Sequence, residues 1–235
     1  MIIAIIGQGY VGLPLAIAAT KAGHKVVGFD LNSALVASLN RGESHIEDIS
    51  NSELQAALES NLYSVSSNPI DIAGSEIVVI AVPTPLNKDR GPDLNFVISA
   101  SQIIGKNLAS PALIINESTS HPGTLRDLIA PEVFKSSKAK VEHLFAVSPE
   151  RVDPGNKTWN IKTTPRIFAG LTQKAASLTR EFYSSFCDDL IEVSSPEVAE
   201  TAKLFENTFR QVNIALVNEL ALITRSIGIS VNEVI

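Results

Sequence analysis

Ile2-Ile3-Ala4-Ile5-Ile6-Gly7-Gln8-Gly9-Tyr10-Val11-Gly12 opens the chain directly after Met1, and residues 13–22 and 25–30 continue it as a helix-like segment and a second apolar run. The five residues before Gly7 are apolar without alternation, as expected of a strand covered on both faces. A G-x-G-x-x-G turn between such a strand and a helix has a definite chemistry. The first glycine permits the tight turn, the second lets the backbone approach a pyrophosphate, and the third lets the helix pack on the strand. The helix N-terminus then faces the negative charge. Gly7, Gly9 and Gly12, with Tyr10 and Val11 between them, are therefore the candidate dinucleotide-binding residues. The second run ends in Asp30, 18 residues beyond Gly12. A carboxylate there can bind both ribose hydroxyls and repels a 2′-phosphate, which predicts NAD rather than NADP. The plainer alternative is a glycine turn without a ligand, and Asp30 argues against it.

Working outward, the apolar runs 76–82, 112–116, 144–147, 166–169 and 190–193 have the same strand character. Helix-like segments fall around them at 32–40, 52–60, 93–107, 123–134 and 173–186. Strand and helix in alternation predict an α/β fold with a doubly wound parallel sheet. The chain has 235 residues, of which 45% are hydrophobic and 19% charged, enough for a substantial core under a sparsely ionic surface. A net charge of −6 without a Lys/Arg block argues against nucleic acid or an anionic membrane as the main partner. One cysteine excludes a disulfide framework and a multi-thiolate zinc site, and it fits a reducing cytosol. His24, His45, His121 and His143 show no metal-ligand spacing, so no metal is expected. The start of the chain lacks a basic n-region and is broken by Gly7, Gly9, Gly12 and Pro14, so a signal peptide or spanning helix is not expected there either. A cytoplasmic location follows as an expectation.

The character changes after Ser194. Residues 198–227 contain neither Gly nor Pro, and Ser195-Pro196-Glu197 before them supplies a cap and first turn. This predicts one long helix. It also divides the chain into residues 1–194, a Rossmann-like NAD-binding domain, and 195–235, the start of a central helical domain. At 100° per residue, Val198, Ala202, Phe205, Phe209, Val212, Leu216, Leu220 and Ile223 share one face. Glu200, Lys203, Asn207 and Arg210 share the opposite one. An apolar stripe of that length predicts a homodimer seam over 198–227.

Three loops follow strands at their carboxyl ends. In Val82-Pro83-Thr84-Pro85 the prolines fix the backbone and Thr84 offers a hydroxyl, although a rigid turn alone is the simpler reading. In the stretch from Asn116 to Thr124, Ser118 and Thr119 carry hydroxyls suited to the nicotinamide side or to holding a water. In Ser148-Pro149-Glu150-Arg151-Val152-Asp153-Pro154-Gly155, Glu150 is a candidate acid/base or substrate clamp, with a salt bridge to Arg151 as the alternative. Lys203 and Asn207, four apart, suit a developing oxyanion and the orientation of a carbonyl or water, with a solvated helix face as the alternative. Cys187 reads as a small buried hydrophobe.

Together, in this order, GQGYVGLPLA from Gly7, Asp30, GESHIED from Gly42, VPTPL from Val82, ESTSHPGT from Glu117, SPERVDPG from Ser148 and ETAKLFEN from Glu200 resemble the UDP-glucose/GDP-mannose dehydrogenase family. The spelling VPTPLNKDRGPDL with SPERVDPGN is similar to the branch that acts on UDP-N-acetylhexosamines. The resemblance implies oxidation of the sugar C6 alcohol to a carboxylate with two NAD, through a cysteine thioester that is hydrolysed. It implies NAD contacts from Gly7, Gly9, Gly12, Asp30, Val82, Thr84, Ser118 and Thr119. Thr119 and Glu150 are implied to handle the water or proton of hydrolysis, and Lys203 and Asn207 to stabilise the oxyanion and grip the sugar. Capsule or surface-polysaccharide precursor synthesis is the pathway it implies.

Two departures from the family pattern stand out. No basic residue follows Asp30 in Leu31-Asn32-Ser33-Ala34-Leu35, so weaker NAD binding is expected. The family's nucleophilic cysteine lies beyond the long helix, followed by a UDP-binding domain, and Cys187 does not match its motif. The chain therefore reads as roughly the N-terminal half of such an enzyme, binding NAD without turnover. Two rivals remain at this level: a β-hydroxyacid dehydrogenase, which also joins a Rossmann domain to a long helix with Lys and Asn, and a non-catalytic NAD-binding dimer.

Overall fold

The computed structural model describes residues 1–89, 91–137, 140–151 and 158–235. Arg90 in the VPTPLNKDRGPDL stretch, and Val152, Asp153, Pro154 and Gly155 of the SPERVDPG stretch, lie outside the described residues. Among the described residues eight strands form one sheet: β1 (Ile2–Ile6), β2 (Lys25–Phe29), β3 (Tyr63–Ser66), β4 (Ile77–Ile80), β5 (Leu113–Asn116), β6 (Leu144–Val147), β7 (Arg166–Gly170) and β8 (Leu190–Glu192). Their spatial order is β3-β2-β1-β4-β5-β6-β7-β8. The first six are in the order typical of a doubly wound dinucleotide-binding sheet, with the topological switch between β1 and β4. The expected parallel pairing holds from β3 to β6 and between β7 and β8, whereas β7 runs antiparallel to β6. A parallel return needs a crossover element, and the described part of the β6–β7 connection holds only turns and bends.

Helices cover both faces. On one side α1 (Gly12–Lys21), α2 (Ser33–Asn40), α3 (Asn51–Glu59) and α6 (Gln173–Ser184) pack over Ile3, Ile5, Val26, Val79 and Ile115. On the other, α4 (Asn95–Asn107) and α5 (Ala130–Ser136) pack over Ala4, Ile6, Val78, Ile80 and Ile114. Alternate residues of β1 and β4 thus enter two different cores, which is why these strands read as unbroken apolar runs. Side-chain caps start several helices: Asn32 on α2, the Ser50–Glu53 capping box on α3, Thr172 on α6, and Ser195 on α7 (Pro196–Ser226).

Two elements differ from expectation. β3 was not foreseen, because Tyr63-Ser64-Val65-Ser66 is four residues long and half serine, with little to distinguish it from a loop. The segment expected as one helix over 123–134 begins at Gly123 in a left-handed conformation, φ 92°, and runs first as a π-helix over Thr124–Ile129. α5 then takes over with Pro131 in its first turn. Proline has no N–H to donate and its ring clashes with the carbonyl four residues back, so a widened turn ahead of it relieves the conflict.

The long helix α7 is present as expected but rotated about its axis relative to the simplest reading. Ala199 and Glu200 are buried against the sheet body and Lys203 is half-buried. Phe205 and Phe209, on the apolar stripe, are 70% and 63% exposed. Val212, Leu216 and Ile223 are exposed with them. Glu200 and Lys203 of the polar stripe therefore face the protein while Asn207 and Arg210 are exposed, and most of the apolar stripe faces outward. Among the described residues, no helix is long and apolar enough to cross a membrane.

Candidate functional site

The loops after β1 and β4 leave the sheet side by side, because these strands are hydrogen-bonded neighbours. Gly7 takes a positive φ of 94°, and its N–H donates to the Phe29 carbonyl at 2.8 Å. A Cβ on Gly7 would stand 2.5 Å from the Ala81 carbonyl oxygen. At Gly12 a Cβ would come within 1.8 Å of the Gly7 oxygen. Packing therefore demands both. Gly9 differs: a Cβ there would meet nothing within 4 Å among the described residues. Tyr10 is exposed beside it and Val11 is half-buried, and Val11 stands at the start of α1 without a capping side chain.

Asp30 closes this turn. Its Oδ2 accepts from the Gln8 N–H at 2.9 Å and its Oδ1 from the Asn32 N–H at 2.9 Å. Gln8 is itself buried, its amide donating to the Ile5 carbonyl at 2.9 Å and accepting from the Tyr63 hydroxyl at 2.7 Å. Burial pushes the Tyr63 hydroxyl well above the usual phenol range, keeping it a donor. The second position of the turn, unremarkable in the sequence, thus ties the glycine turn to β3 and to Asp30.

On the β4 and β5 side, Ser118 and Val82 are joined twice. The Ser118 hydroxyl donates to the Val82 carbonyl at 2.8 Å and lies 3.0 Å from the Val82 N–H, which donates to it. Thr84 and Thr119 are half-buried on these same two loops.

Beyond them lies a buried charged cluster. Arg166, at the start of β7, is 4% exposed and donates to Glu117 Oε1 at 2.8 Å and to Glu150 Oε2 at 2.6 Å. The Tyr183 hydroxyl donates to Glu117 Oε1, and the guanidinium carbon lies 4.5 Å from the centre of the Tyr183 ring. Burial pushes the Glu117 carboxyl up to about 7, against the pull of Arg166 in the other direction. The salt bridge weighed between Glu150 and Arg151 is not the one formed: the Arg151 guanidinium pairs with Glu206 on α7 at 2.8 Å. Arg151 reaches Glu150 through its backbone N–H, at 2.6 Å.

Cys187 is buried, donating to the Ile161 carbonyl at 3.2 Å, and burial pushes its thiol up to about 11. A thiol held in that range is a poor nucleophile, in keeping with the sequence reading. Lys203 is drawn down by burial, opposed by the charges of Glu206 and Glu150 and reinforced by those of Arg210 and Arg151. Lys203 and Glu150 therefore share one electrostatic environment, while Asn207, one turn on, is exposed. A cavity of about 1120 Å³ is lined by Tyr10, Val11, Glu150 and Cys187 with residues of α1 and the end of α6, but not by Gly9, Asp30, Thr84, Thr119 or Lys203. Among the described residues no group of three or more His, Cys, Asp or Glu is placed to hold a metal ion.

Glu117, Arg166, Tyr183 and Glu200 were not singled out from the sequence. Arg166 did leave a signal, an arginine at the head of an otherwise apolar strand. Glu200 did not: it reads as part of a polar stripe, yet its carboxylate accepts from the Gly123 N–H at 2.7 Å and the Leu125 N–H at 3.0 Å.

Known proteins extend this picture. The UDP-glucose/GDP-mannose dehydrogenase family matches twice, its NAD binding domain over residues 1–187 and its central domain over residues 197–235. UDP-N-acetyl-D-mannosamine dehydrogenase of Pyrococcus horikoshii is 38% identical over 100% of this chain and 56% of its own length. UDP-N-acetyl-D-glucosamine 6-dehydrogenase of Pseudomonas aeruginosa is 37% identical over 99% of the chain and 55% of its own. The solved structure of the UDP-D-ManNAc dehydrogenase from Pyrococcus horikoshii superimposes with a TM-score of 0.92 at 37% identity, over 100% of this chain and 56% of that one. The chain spans about half the length of the curated relatives it matches. With its NAD binding domain matched over most of the sequence, the chain belongs to the UDP-glucose/GDP-mannose dehydrogenase family.

Proposed function

We propose that this chain is the NAD-binding part of a UDP-N-acetylhexosamine 6-dehydrogenase, with residues 1–194 as the cofactor domain and 195–235 as the start of a central helical domain. The observation that carries the reading is Gly9. Packing explains Gly7 and Gly12, but the space above Gly9 is open, which is what a pyrophosphate approaching the backbone requires. Asp30, held by two backbone N–H groups, presents the carboxylate that would take the ribose hydroxyls. Gly7, Gly9, Tyr10, Val11, Gly12, Val82, Thr84, Ser118 and Thr119 would complete the cofactor's surroundings.

The bound dinucleotide supplies the hydride acceptor. In the whole reaction the C6 alcohol becomes a carboxylate, one water is consumed, and two NAD are reduced with release of three protons. Glu150 would take the proton of the hydrolytic water, with Thr119 beside its path. Lys203, as an ammonium, would oppose negative charge developing on the carbonyl oxygen, and Asn207 would hold the sugar. The relatives' names support a UDP-N-acetylated hexosamine as substrate.

The exposed apolar stripe of α7 supports a homodimer formed through 198–227. A cytoplasmic location and a role in supplying nucleotide-activated uronates for surface polysaccharide complete the proposal.

Calorimetry with NAD and absorbance at 340 nm with UDP-N-acetylglucosamine or UDP-N-acetylmannosamine test it. Residues 1–235 should bind NAD and form no NADH, since their one cysteine is buried and protonated. A full-length protein with this chain as its N-terminal half should yield two NADH per sugar. No NAD binding, or NADH from residues 1–235 alone, would overturn the reading.

A further inference from the structure

The proposed reaction gives Glu150 a task but does not explain what holds it. Glu150 follows β6 in a loop, where a carboxylate is free to choose among rotamers. Its Oε2 nevertheless meets the guanidinium of Arg166 at 2.6 Å. Arg166 cannot swing away, because its other arm is bound 2.8 Å from Glu117 Oε1 and its plane rests on the Tyr183 ring. Tyr183 in turn donates to the same Glu117 oxygen. All three supporting side chains are nearly or fully buried. Glu117 Oε2 has no hydrogen-bond partner among the described residues. A buried arginine shared by two carboxylates, one left incompletely satisfied, is a costly arrangement in a core. An apolar triad of the same volume would serve packing as well, so the cost argues for a task beyond stability.

We propose that Arg166 is the positioning residue for Glu150, with Glu117 and Tyr183 fixing the guanidinium from behind so that the two carboxylates share it. The inference rests on the reading of Glu150 as the group that handles the hydrolytic proton. Glu150 takes one hydrogen bond from this guanidinium, whose other arm is fixed on Glu117, and a lysine could not be braced in this way because only the guanidinium is a rigid planar fork. The charges around Glu150 are Arg166 on β7, Glu117 after β5, and Arg151 in its own loop. Among the described residues, Lys203 on α7 and Cys187 after α6 also act on it.

Two substitutions should move the paired carboxylates in opposite directions. Arg166→Lys keeps a positive charge but cannot bridge both partners, so the titration midpoint of Glu150 should rise by about one unit. Glu150→Gln removes the carboxylate that competes for Arg166 and leaves the guanidinium to Glu117, so the Glu117 midpoint should fall. The measurement is carbon-13 NMR of carboxylate-labelled glutamate in the 235-residue chain, with Glu150 assigned by its loss in Glu150→Gln and Glu117 by its loss in Glu117→Gln. A rise of Glu150 and a fall of Glu117 support the proposal, while no shift in either variant, or shifts of the same sign, overturn it. If Arg166→Lys does not fold, Glu150→Gln decides alone: a fall of Glu117 supports, no fall overturns. NMR needs no turnover, so a failure of the proposed reaction would show separately, as absent NADH in the full-length protein.

Discussion

Gly12 lies so close beneath Gly7 that a Cβ on the first would stand 1.8 Å from the carbonyl oxygen of the second, while the intervening Gly9 has open space above it. One motif therefore contains two kinds of glycine, and substitution separates them. Gly12→Ala forces the start of α1 off β1 and should destabilise the chain by about 3 kcal/mol, at the upper end for overpacking. Gly9→Ala should leave the thermal midpoint within a few degrees of the parent and weaken NAD binding at least tenfold. Differential scanning fluorimetry and NAD titration of both variants give the comparison. Unimpaired NAD binding by Gly9→Ala would remove the main support for the proposed cofactor site.

Asp30 has a second testable role. Both carboxylate oxygens are held by backbone N–H groups, so the group is fixed before any ligand arrives. Losing one charge-assisted hydrogen bond costs about 1.5–3 kcal/mol, so Asp30→Asn should weaken NAD binding by roughly 10- to 100-fold. NADP binding should suffer less, since the repelling charge leaves with it. The measurement is the ratio of the two dissociation constants, and an unchanged ratio would mean that Asp30 does not read the ribose.

How much of this was legible depended on whether the deciding interaction is local. The glycine turn and Asp30 stand out because strand, turn and helix are contiguous and each glycine answers a nearby constraint. β6 pairing with an antiparallel β7 was not legible, since it depends on the connection between them. The Glu117–Arg166–Tyr183 cluster joins residues 49 and 66 positions apart, and no periodicity marks such a set. Glu200 shows the limit most clearly. A wheel of α7 puts it on the polar side, and only the docked helix shows that this side is turned inward to meet Gly123 and Leu125.

Glu117 also makes stability depend on pH in a direction opposite to most surface carboxylates. Its folded-state value, about 7, lies above the ordinary 4.5, chiefly through burial. The folded chain therefore binds this proton more tightly than the unfolded chain. The stabilisation is complete below about pH 4.5 and is lost as pH rises toward 7. At 1.36 kcal/mol per unit this amounts to about 3 kcal/mol. The buried Glu200 acts in the same direction, while His24 and His143, lowered by burial, act in the other. Glu117→Gln isolates the contribution. Urea unfolding at pH 5 and pH 7.5 should show the parent losing more stability across that interval than the variant, and parallel losses would assign the effect elsewhere.

The outward face of α7 bears on assembly. Phe205 and Phe209 are ring neighbours with centroids 6.4 Å apart, and both stand in solvent together with Val212, Leu216 and Ile223. Burying a phenylalanine is worth about 1.5–3 kcal/mol, so a helix presenting several such side chains is strongly favoured to meet an apolar counterpart. A second copy offers one by symmetry, since an isologous pair buries the same stripe on both sides. Phe209→Glu should then convert a dimer to a monomer without lowering the helical circular dichroism, because Phe209 is not part of the buried core. Sedimentation equilibrium over a wide concentration range reads the result. A parent chain that stays monomeric throughout would rule out the homodimer seam for residues 1–235.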